Sequence, residues 1–204
     1  MSTSIIEAAA KFAEAHYPPE GVPHIREMLN YCALFAEATG ADREILIVTT
    51  YLHDVAAHLY SWEEHDVKSA EMACKFLKAQ GYPADRSQRV VNAIMAHRLA
   101  RQGADAENME LESKLIYDAD KLARSMGMGI PQHLMELGAK SGGKPSLAEI
   151  ATAVRAAQKQ MEQTYKTLYT DAARNLARQS HENTRAFCES MVALARLHPS
   201  SATW

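Results

Sequence analysis

Several features that would define a class of protein are scarce in this chain of 204 residues. Its three cysteines, Cys32, Cys74 and Cys188, are scattered and lack a CxxC spacing, so neither a disulfide framework nor a zinc knuckle is indicated. Apolar stretches such as Ile45 to Val48 are far below the ~20 residues needed to cross a bilayer. Glu7 lies where a secretory signal would be apolar, and no basic leader precedes it. We therefore expect a cytoplasmic protein with no membrane segment.

The chain also lacks an excess of positive charge. Its formal net charge is −3, and no surface that would hold nucleic acid by charge alone is evident. No glycine-rich phosphate loop is present. Hydrophobic residues make up 47% of the chain and charged residues 23%, as in ordinary globular proteins. A sizeable core is therefore expected, and any affinity for phosphate must come from a local site.

Helical periodicity runs through most of the sequence, whereas no β-branched alternation is long enough to predict a strand. The pattern predicts an all-α fold, in which paired breakers such as Pro18-Pro19 and Gly142-Gly143 separate the helices. The predicted helices are Ser4 to His16, Pro23 to Thr39, one capped by Asp42 and running through Asp54, one around Ala70 to Leu77, one ending at His97, Leu111 to Arg124, and two in the tail to Leu197.

Two connections and the start of the tail complete this organisation. A polar stretch covers Arg101 to Asn108, and Gly127, Gly129 and Pro131 break the helix that precedes them. Ser146 and Glu149 have the spacing of a capping box, which predicts that the tail helix begins there. We expect residues 1–204 to form a single helical domain, with 146–198 as a C-terminal extension packed on it.

The adjacent pair His53-Asp54 is the strongest indication of chemistry. One helical turn directs an imidazole and a carboxylate about 100° apart, so both can reach one ion. His24 and Asp120 lie on other predicted helices, near their apolar sides, where an unpaired charge would be costly. A buried carboxylate beside a buried imidazole needs a partner, and a divalent metal ion is a suitable one. Spacing alone does not choose between Asp118 and Asp120 as the distal carboxylate.

These residues resemble the signature of the HD-domain superfamily, in which a histidine, a later His-Asp pair and a distal aspartate together hold a divalent metal. The similar segments are His24-Ile25-Arg26, Tyr51-Leu52-His53-Asp54-Val55 and Asp118-Ala119-Asp120-Lys121-Leu122. The resemblance implies that Asp120 is the distal ligand. It extends into the tail, where Lys166 to Arg174 is similar to a subgroup of bacterial phosphohydrolases.

The same resemblance implies two further ligands, because His65 and His97 are similar to the extra histidines of members that hold two metals. In such a site Asp54 would be the bridge, since a carboxylate has two oxygens. For His65 the alternative is a solvated residue in a charged loop with Glu63, Glu64 and Asp66, and for an isolated His53 it is a core histidine. The implied cofactor is one or two divalent ions of unspecified identity, among Mn, Fe, Mg, Ni, Co and Zn.

Residues that would act on the substrate are less well defined. Many family members have a charged residue three or four positions after the His-Asp pair, where this chain has Ala57 and His58. Candidates for proton transfer are therefore His58, with Glu63 and Glu64 as alternatives, and Lys121. Basic residues close to the ligands in sequence could bind a phosphate, although each alone could equally be an exposed helix-face charge. These are Arg26, Arg98, Lys121 and Arg124.

The function implied by the resemblance is that of a metal-dependent phosphohydrolase, which uses a metal-activated water on a small phosphomonoester or nucleotide. Two alternatives stay open. One is an HD-type di-iron oxygenase, in which Tyr17 and Glu20 would gate the site, and the other is a non-catalytic signalling module. The expected partner is a small phosphorylated substrate, and the oligomeric state is open, a homo-oligomer included.

Overall fold

The computed structural model describes residues 4–61, 63–98, 108–124 and 129–197. This part of the chain forms nine α-helices and one short 3-10 helix at Pro19–Gly21, which confirms the all-α prediction. The α-helices are α1 (Ile5–His16), α2 (Val22–Thr39), α3 (Arg43–Leu52), α4 (His65–Ala79), α5 (Ala84–Ala96), α6 (Leu111–Leu122), α7 (Gly129–Lys140), α8 (Leu147–Thr167) and α9 (Asp171–Leu197).

Two compact units emerge from the contacts within the chain. The first comprises residues 1–120 together with Tyr169–Ala173, and the second comprises Lys121–Leu168 and the residues from Arg174 onward. In the first unit α3 packs against α1, α2 and α5, and α4 packs on α5. In the second, α7 packs on α8. The single-domain organisation stays a prediction.

The core of the first unit lies around α3. Its buried side chains come from α1, α3, α4 and α5 and from Val55. Within α3, α4 and α5 they recur at spacings of three and four, which places them on one face of each helix. They are Ala9, Ile45, Val48, Leu52, Val55, Ala70, Ala73, Leu77, Val90 and Ile94. Since His53 and Asp54 follow directly on Leu52, this packing also places the His-Asp pair at the edge of the core.

The first turn of α3 is held by charged side chains. Asp42 caps the helix, as predicted, and its Oδ1 accepts hydrogen bonds from the backbone N–H groups of Glu44 and Ile45. Arg86 of α5 pairs with Asp42 at 2.9 Å, and the Asp42 N–H donates to Oε1 of Glu112 on α6 at 2.9 Å. These contacts join three helices at the end of α3 opposite to His53.

One helix boundary and one additional helix differ from the prediction. Helix α3 ends at Leu52 and not at Asp54, and residues 53–59 form consecutive turns. Helix α7 was not predicted, because Gly129 and Pro131 were interpreted as breakers. Pro131 lies in the first turn of α7, where a missing N–H costs no intrahelical hydrogen bond.

Other predictions agree with the structure or fall outside its described part. The tail forms two helices, and the capping box of Ser146 and Glu149 begins the first of them. Residues 101–107 and Gly127 lie outside the described residues. In the described chain, no helix combines the length and apolar character needed to span a membrane.

Candidate metal centre

The first set of candidate ligands is His24, His53 and Asp120, contributed by three different segments. His24 is in the first turn of α2, His53 follows the end of α3, and Asp120 is in α6. Their ligand atoms lie within 4.8 Å of one another. Asp120 Oδ1 is 3.2 Å from His24 Nε2 and 4.0 Å from His53 Nε2. Two imidazole nitrogens and a carboxylate oxygen at this separation match the donors of a divalent transition-metal site.

A second set, Asp54, His65 and His97, is equally compact, with its ligand atoms within 4.8 Å of one another. Asp54 Oδ1 lies 3.2 Å from His65 Nε2 and 3.3 Å from His97 Nε2. All three residues are buried. His65 is fully buried and begins α4, so the alternative that it is a solvated residue in a charged loop is wrong.

Asp54 lies between the two sets. Its Oδ1 faces His65 and His97, whereas its Oδ2 is 3.4 Å from His53 Nε2 in the first set. A carboxylate can place one oxygen on each of two cations, which an imidazole bound through one nitrogen cannot do. The arrangement is therefore the one expected if Asp54 bridges two ions.

Backbone carbonyls orient two of the imidazoles. His53 Nδ1 lies 2.9 Å from the carbonyl oxygen of Thr50, and His97 Nδ1 is similarly close to the carbonyl oxygen of Ile94. Because a carbonyl oxygen only accepts, each Nδ1 must carry a hydrogen and donate it. In the neutral ring this leaves the lone pair on Nε2, the atom that faces the carboxylates.

The electrostatics of the centre favour a cation. Burial would lower the pKa of His53, but the nearby carboxylates of Asp54 and Asp120 raise it above the ordinary value overall. Burial would likewise raise the pKa of Asp54, but the adjacent imidazoles, His53 first and then His65 and His97, lower it well below the usual range. An ionised carboxylate in so buried a place requires positive charge beside it.

The residues present fit a bound metal. His53 Nε2 is buried, and within the described residues no hydrogen bond of suitable geometry reaches it. The same holds, over those residues, for Thr49 Oγ1, one turn earlier on the same face of α3. A buried polar atom without a hydrogen bond is costly, and coordination of an ion by Nε2 would remove that cost for His53.

The structure thus brings together the six predicted ligands, and the other candidate residues have differing environments. Arg26, His58, Glu63 and Glu64 have exposed side chains. Arg98 is placed beside the second ligand set, where its guanidinium lies 3.4 Å from His65 Nδ1 and 3.3 Å from Asp66 Oδ1. Lys121 and Arg124 are half-buried and belong to the second unit.

Asp118 has a different environment from Asp120. Its fully buried carboxylate accepts hydrogen bonds from the N–H groups of Tyr169 and Thr170, at 2.8 and 2.9 Å, and from the Thr170 hydroxyl at 2.7 Å. The first aspartate of the pair therefore holds the segment before α9, and the second faces the histidines. Sequence spacing missed this division because both residues lie on the same helix, near apolar neighbours.

Tyr17 also reaches the centre, since its hydroxyl oxygen accepts a hydrogen bond from the Asp54 N–H at 2.9 Å. The proposed gating partner Glu20 has a side chain outside the described part of the chain. The only signal for Tyr17 in the sequence was its position just before His24.

Comparison with known proteins identifies the family. The model of the HD domain matches residues 22–125, which include all six candidate ligands. No curated protein matches the chain. A solved structure from Lactobacillus plantarum is 16% identical, with a TM-score of 0.71 and coverage of 97% of this chain and 99% of that one.

Bacillus subtilis YpgQ also shares the fold. It is 20% identical, with a TM-score of 0.67 and 96% coverage of each chain. The structure of YpgQ in complex with ADP has a TM-score of 0.61 at 20% identity and covers 98% of this chain and 95% of that one. Since the family model spans just over half of the sequence and both sets of ligands lie within it, the chain belongs to the HD domain family.

Proposed function

We propose that this protein is a metal-dependent phosphohydrolase that acts on a small phosphomonoester or nucleotide. The observation that carries the proposal is the position of Asp54 between two sets of imidazole and carboxylate ligands. Its two carboxylate oxygens face different histidines. HD domains are generally metal-dependent hydrolases. One or two divalent ions would be held by His24, His53 and Asp120 on one side of Asp54 and by His65 and His97 on the other.

Bound divalent ions would lower the pKa of a coordinated water and stabilise the charge that grows on the phosphoryl oxygens. The chain's own residues then have separate tasks. Asp54 sets the spacing between the two ligand sets, and the Thr50 and Ile94 carbonyls hold His53 and His97 in the tautomer that leaves Nε2 available. Five of the six ligands are buried and His24 is half-buried, which limits the access of bulk water to the ligands.

Contacts with the substrate are proposed for basic residues near the ligands. Arg98 is the one placed beside a candidate ligand, and a guanidinium can bind two phosphate oxygens at once. Phosphate binding is also proposed, from sequence position alone, for Arg26, Lys121 and Arg124. Proton transfer is proposed on the same basis for His58 and Lys121. A nucleotide is favoured among phosphorylated substrates because YpgQ, which shares the fold, was crystallised with ADP.

The experiment that tests the proposal compares metal-free protein with protein loaded with Mn²⁺, Mg²⁺, Co²⁺, Ni²⁺, Zn²⁺ or Fe²⁺. Release of inorganic phosphate is measured across nucleoside mono-, di- and triphosphates and sugar phosphates. We expect metal-dependent release that His53→Ala and Asp54→Asn abolish together with bound metal, whereas the exposed control Glu14→Gln keeps both. Retention of stoichiometric metal in both site variants would exclude this centre.

A second candidate function is oxidation at a di-iron site. Each ligand set consists of two histidines and one carboxylate, a donor set that also suits non-haem iron in oxygenases. Anaerobically prepared Fe²⁺ protein would then consume oxygen in the presence of its substrate. Oxygen uptake without phosphate release from any ester would favour this function over hydrolysis.

A further inference from the structure

Tyr17 contacts the backbone of the proposed bridging residue, although it precedes the 22–125 segment matched by the family model. Its hydroxyl oxygen accepts a hydrogen bond of 2.9 Å from the N–H of Asp54, 37 positions along the chain. Tyr17 is the C-cap of α1, and its own N–H donates to the Ala13 carbonyl at 2.8 Å. The residue therefore joins the end of α1 to the residue shared by the two ligand sets.

The Asp54 N–H needs this acceptor because the helix does not supply its usual one. In a continued helix the N–H of residue 54 would bond the carbonyl oxygen of Thr50. Here α3 ends at Leu52, the Thr50 oxygen lies 2.9 Å from Nδ1 of His53, and the Asp54 N–H bonds the Tyr17 hydroxyl outside the helix. A buried N–H without an acceptor is costly, so the Tyr17 hydroxyl stabilises the chain at the point where the helical hydrogen bonds of α3 end.

The position of the Tyr17 ring is set by a close approach of the chain. A Cβ atom added at Gly21 would lie 3.0 Å from Tyr17 Cδ1, which is tighter than most real Cβ contacts, so the ring would have to shift by a few tenths of an ångström. The 3-10 helix Pro19–Gly21 follows directly and limits how the backbone can move. Gly21 therefore lets the chain close against the ring and hold its hydroxyl at Asp54.

We propose that Tyr17 is a positioning residue that orients Asp54 between its two ligand sets through the hydrogen bond to the Asp54 N–H. This role rests on the proposed metal centre. Removing the hydroxyl leaves the packing of the ring in place and lets the Asp54 backbone rotate, so that its carboxylate no longer faces both sets in one orientation. Metal affinity should fall while folding is largely kept.

Tyr17→Phe tests this role, with Tyr31→Phe as the matched control. Tyr31 also loses one hydroxyl hydrogen bond, to Glu27 at 3.3 Å within α2. Binding of Mn²⁺ is measured by electron paramagnetic resonance of the free ion. We expect Tyr17→Phe to weaken binding about tenfold, in line with the loss of outer-shell partners in other metal sites, and Tyr31→Phe to leave it unchanged. The exchange rate of the Asp54 amide hydrogen should rise in Tyr17→Phe alone.

Gly21→Ala provides an independent test in which the hydroxyl is kept but the ring is displaced. It should weaken Mn²⁺ binding in the same direction as Tyr17→Phe. Unchanged Mn²⁺ affinity in a folded Tyr17→Phe protein, or equal loss in Tyr31→Phe, overturns the positioning role while leaving the metal centre intact. If the wild-type chain binds no Mn²⁺ or other divalent ion, the proposed centre itself is wrong, and the role of Tyr17 with it.

Discussion

Replacing each aspartate of the Asp118-Ala119-Asp120 segment by asparagine should affect a different property of the protein, stability for Asp118 and metal binding for Asp120. Asp118→Asn is expected to destabilise the metal-free protein and to leave metal affinity close to that of the wild type. Asp120→Asn is expected to remove metal binding and phosphate release while the metal-free protein stays folded. The difference follows from what each carboxylate contacts.

The magnitude for Asp118 comes from its three hydrogen bonds. An asparagine that keeps its oxygen toward Thr170 presents its NH₂ group to the Tyr169 N–H, so two donors face each other in a buried place. An unsatisfied buried donor costs about 1–3 kcal/mol, and exchanging an ionised acceptor for a neutral one weakens each remaining hydrogen bond by about 1 kcal/mol. We therefore expect a loss of about 2–5 kcal/mol in the free energy of unfolding.

Asp120 contributes differently, because its Oδ1 lies 3.2 Å from His24 Nε2 and 4.0 Å from His53 Nε2. Asparagine keeps the shape of the side chain but removes the negative charge that would face a cation. Loss of a directly bound ligand should weaken metal binding by more than the ~10–100-fold typical of outer-shell partners. Phosphate release should fall in parallel.

Two assays separate these effects. Urea unfolding followed by circular dichroism, on chelator-treated protein, measures stability, and titration calorimetry with Mn²⁺ measures affinity. Thr170→Val should lose about 1–2 kcal/mol and couple non-additively to Asp118→Asn, since the two share a hydrogen bond. Loss of metal with unchanged stability in Asp118→Asn would refute the reasoning, as would equal losses of activity in both asparagine variants at saturating metal.

Three further outcomes are expected. His97→Ala should lower the number of bound Mn²⁺ ions from two toward one, measured by calorimetry; a wild type that never exceeds one ion under saturating metal would contradict the bridged centre. Burial would raise the pKa of Asp42, but hydrogen bonds from Arg86 and a backbone N–H lower it overall. The ionised Asp42 carboxylate therefore stabilises the folded protein above the unfolded pKa of ~3.9, and this stabilisation is lost as pH falls through the folded pKa. Urea unfolding of metal-free Asp42→Asn should show a smaller drop between pH 7 and acid than wild type does, and an equal drop would argue against the pairing. Leu77→Ala should cost about 2–5 kcal/mol in the same assay, whereas Leu59→Ala, at 54% exposure, should cost far less; similar values would show that Leu77 is not in a packed core.

Local signals in the sequence were sufficient for most of the helices and for the family. Asp42 and the pair Ser146 and Glu149 satisfy N–H groups two or three residues away, so their capping roles depend on neighbours in the chain. The His53-Asp54 pair and its motif partners were recognisable for a related reason. Each motif consists of a few consecutive residues, in which the ligand and its apolar neighbours are adjacent in the sequence.

The tertiary structure decided the features that join distant residues. Gly129 and Pro131 have the composition of a break, yet they begin α7, because a first turn tolerates both. Where α3 ends at Leu52, the Thr50 carbonyl accepts from the His53 ring and the Asp54 N–H bonds Tyr17, which lies at the end of α1. Asp118 and Asp120 have similar neighbours in sequence, and only the return of the chain at Tyr169 and Thr170 distinguishes them. Each of these outcomes depends on which hydrogen-bond partner a polar group finds after packing. Those partners are distant in sequence, and neither hydrophobic periodicity nor local helix propensity indicates them.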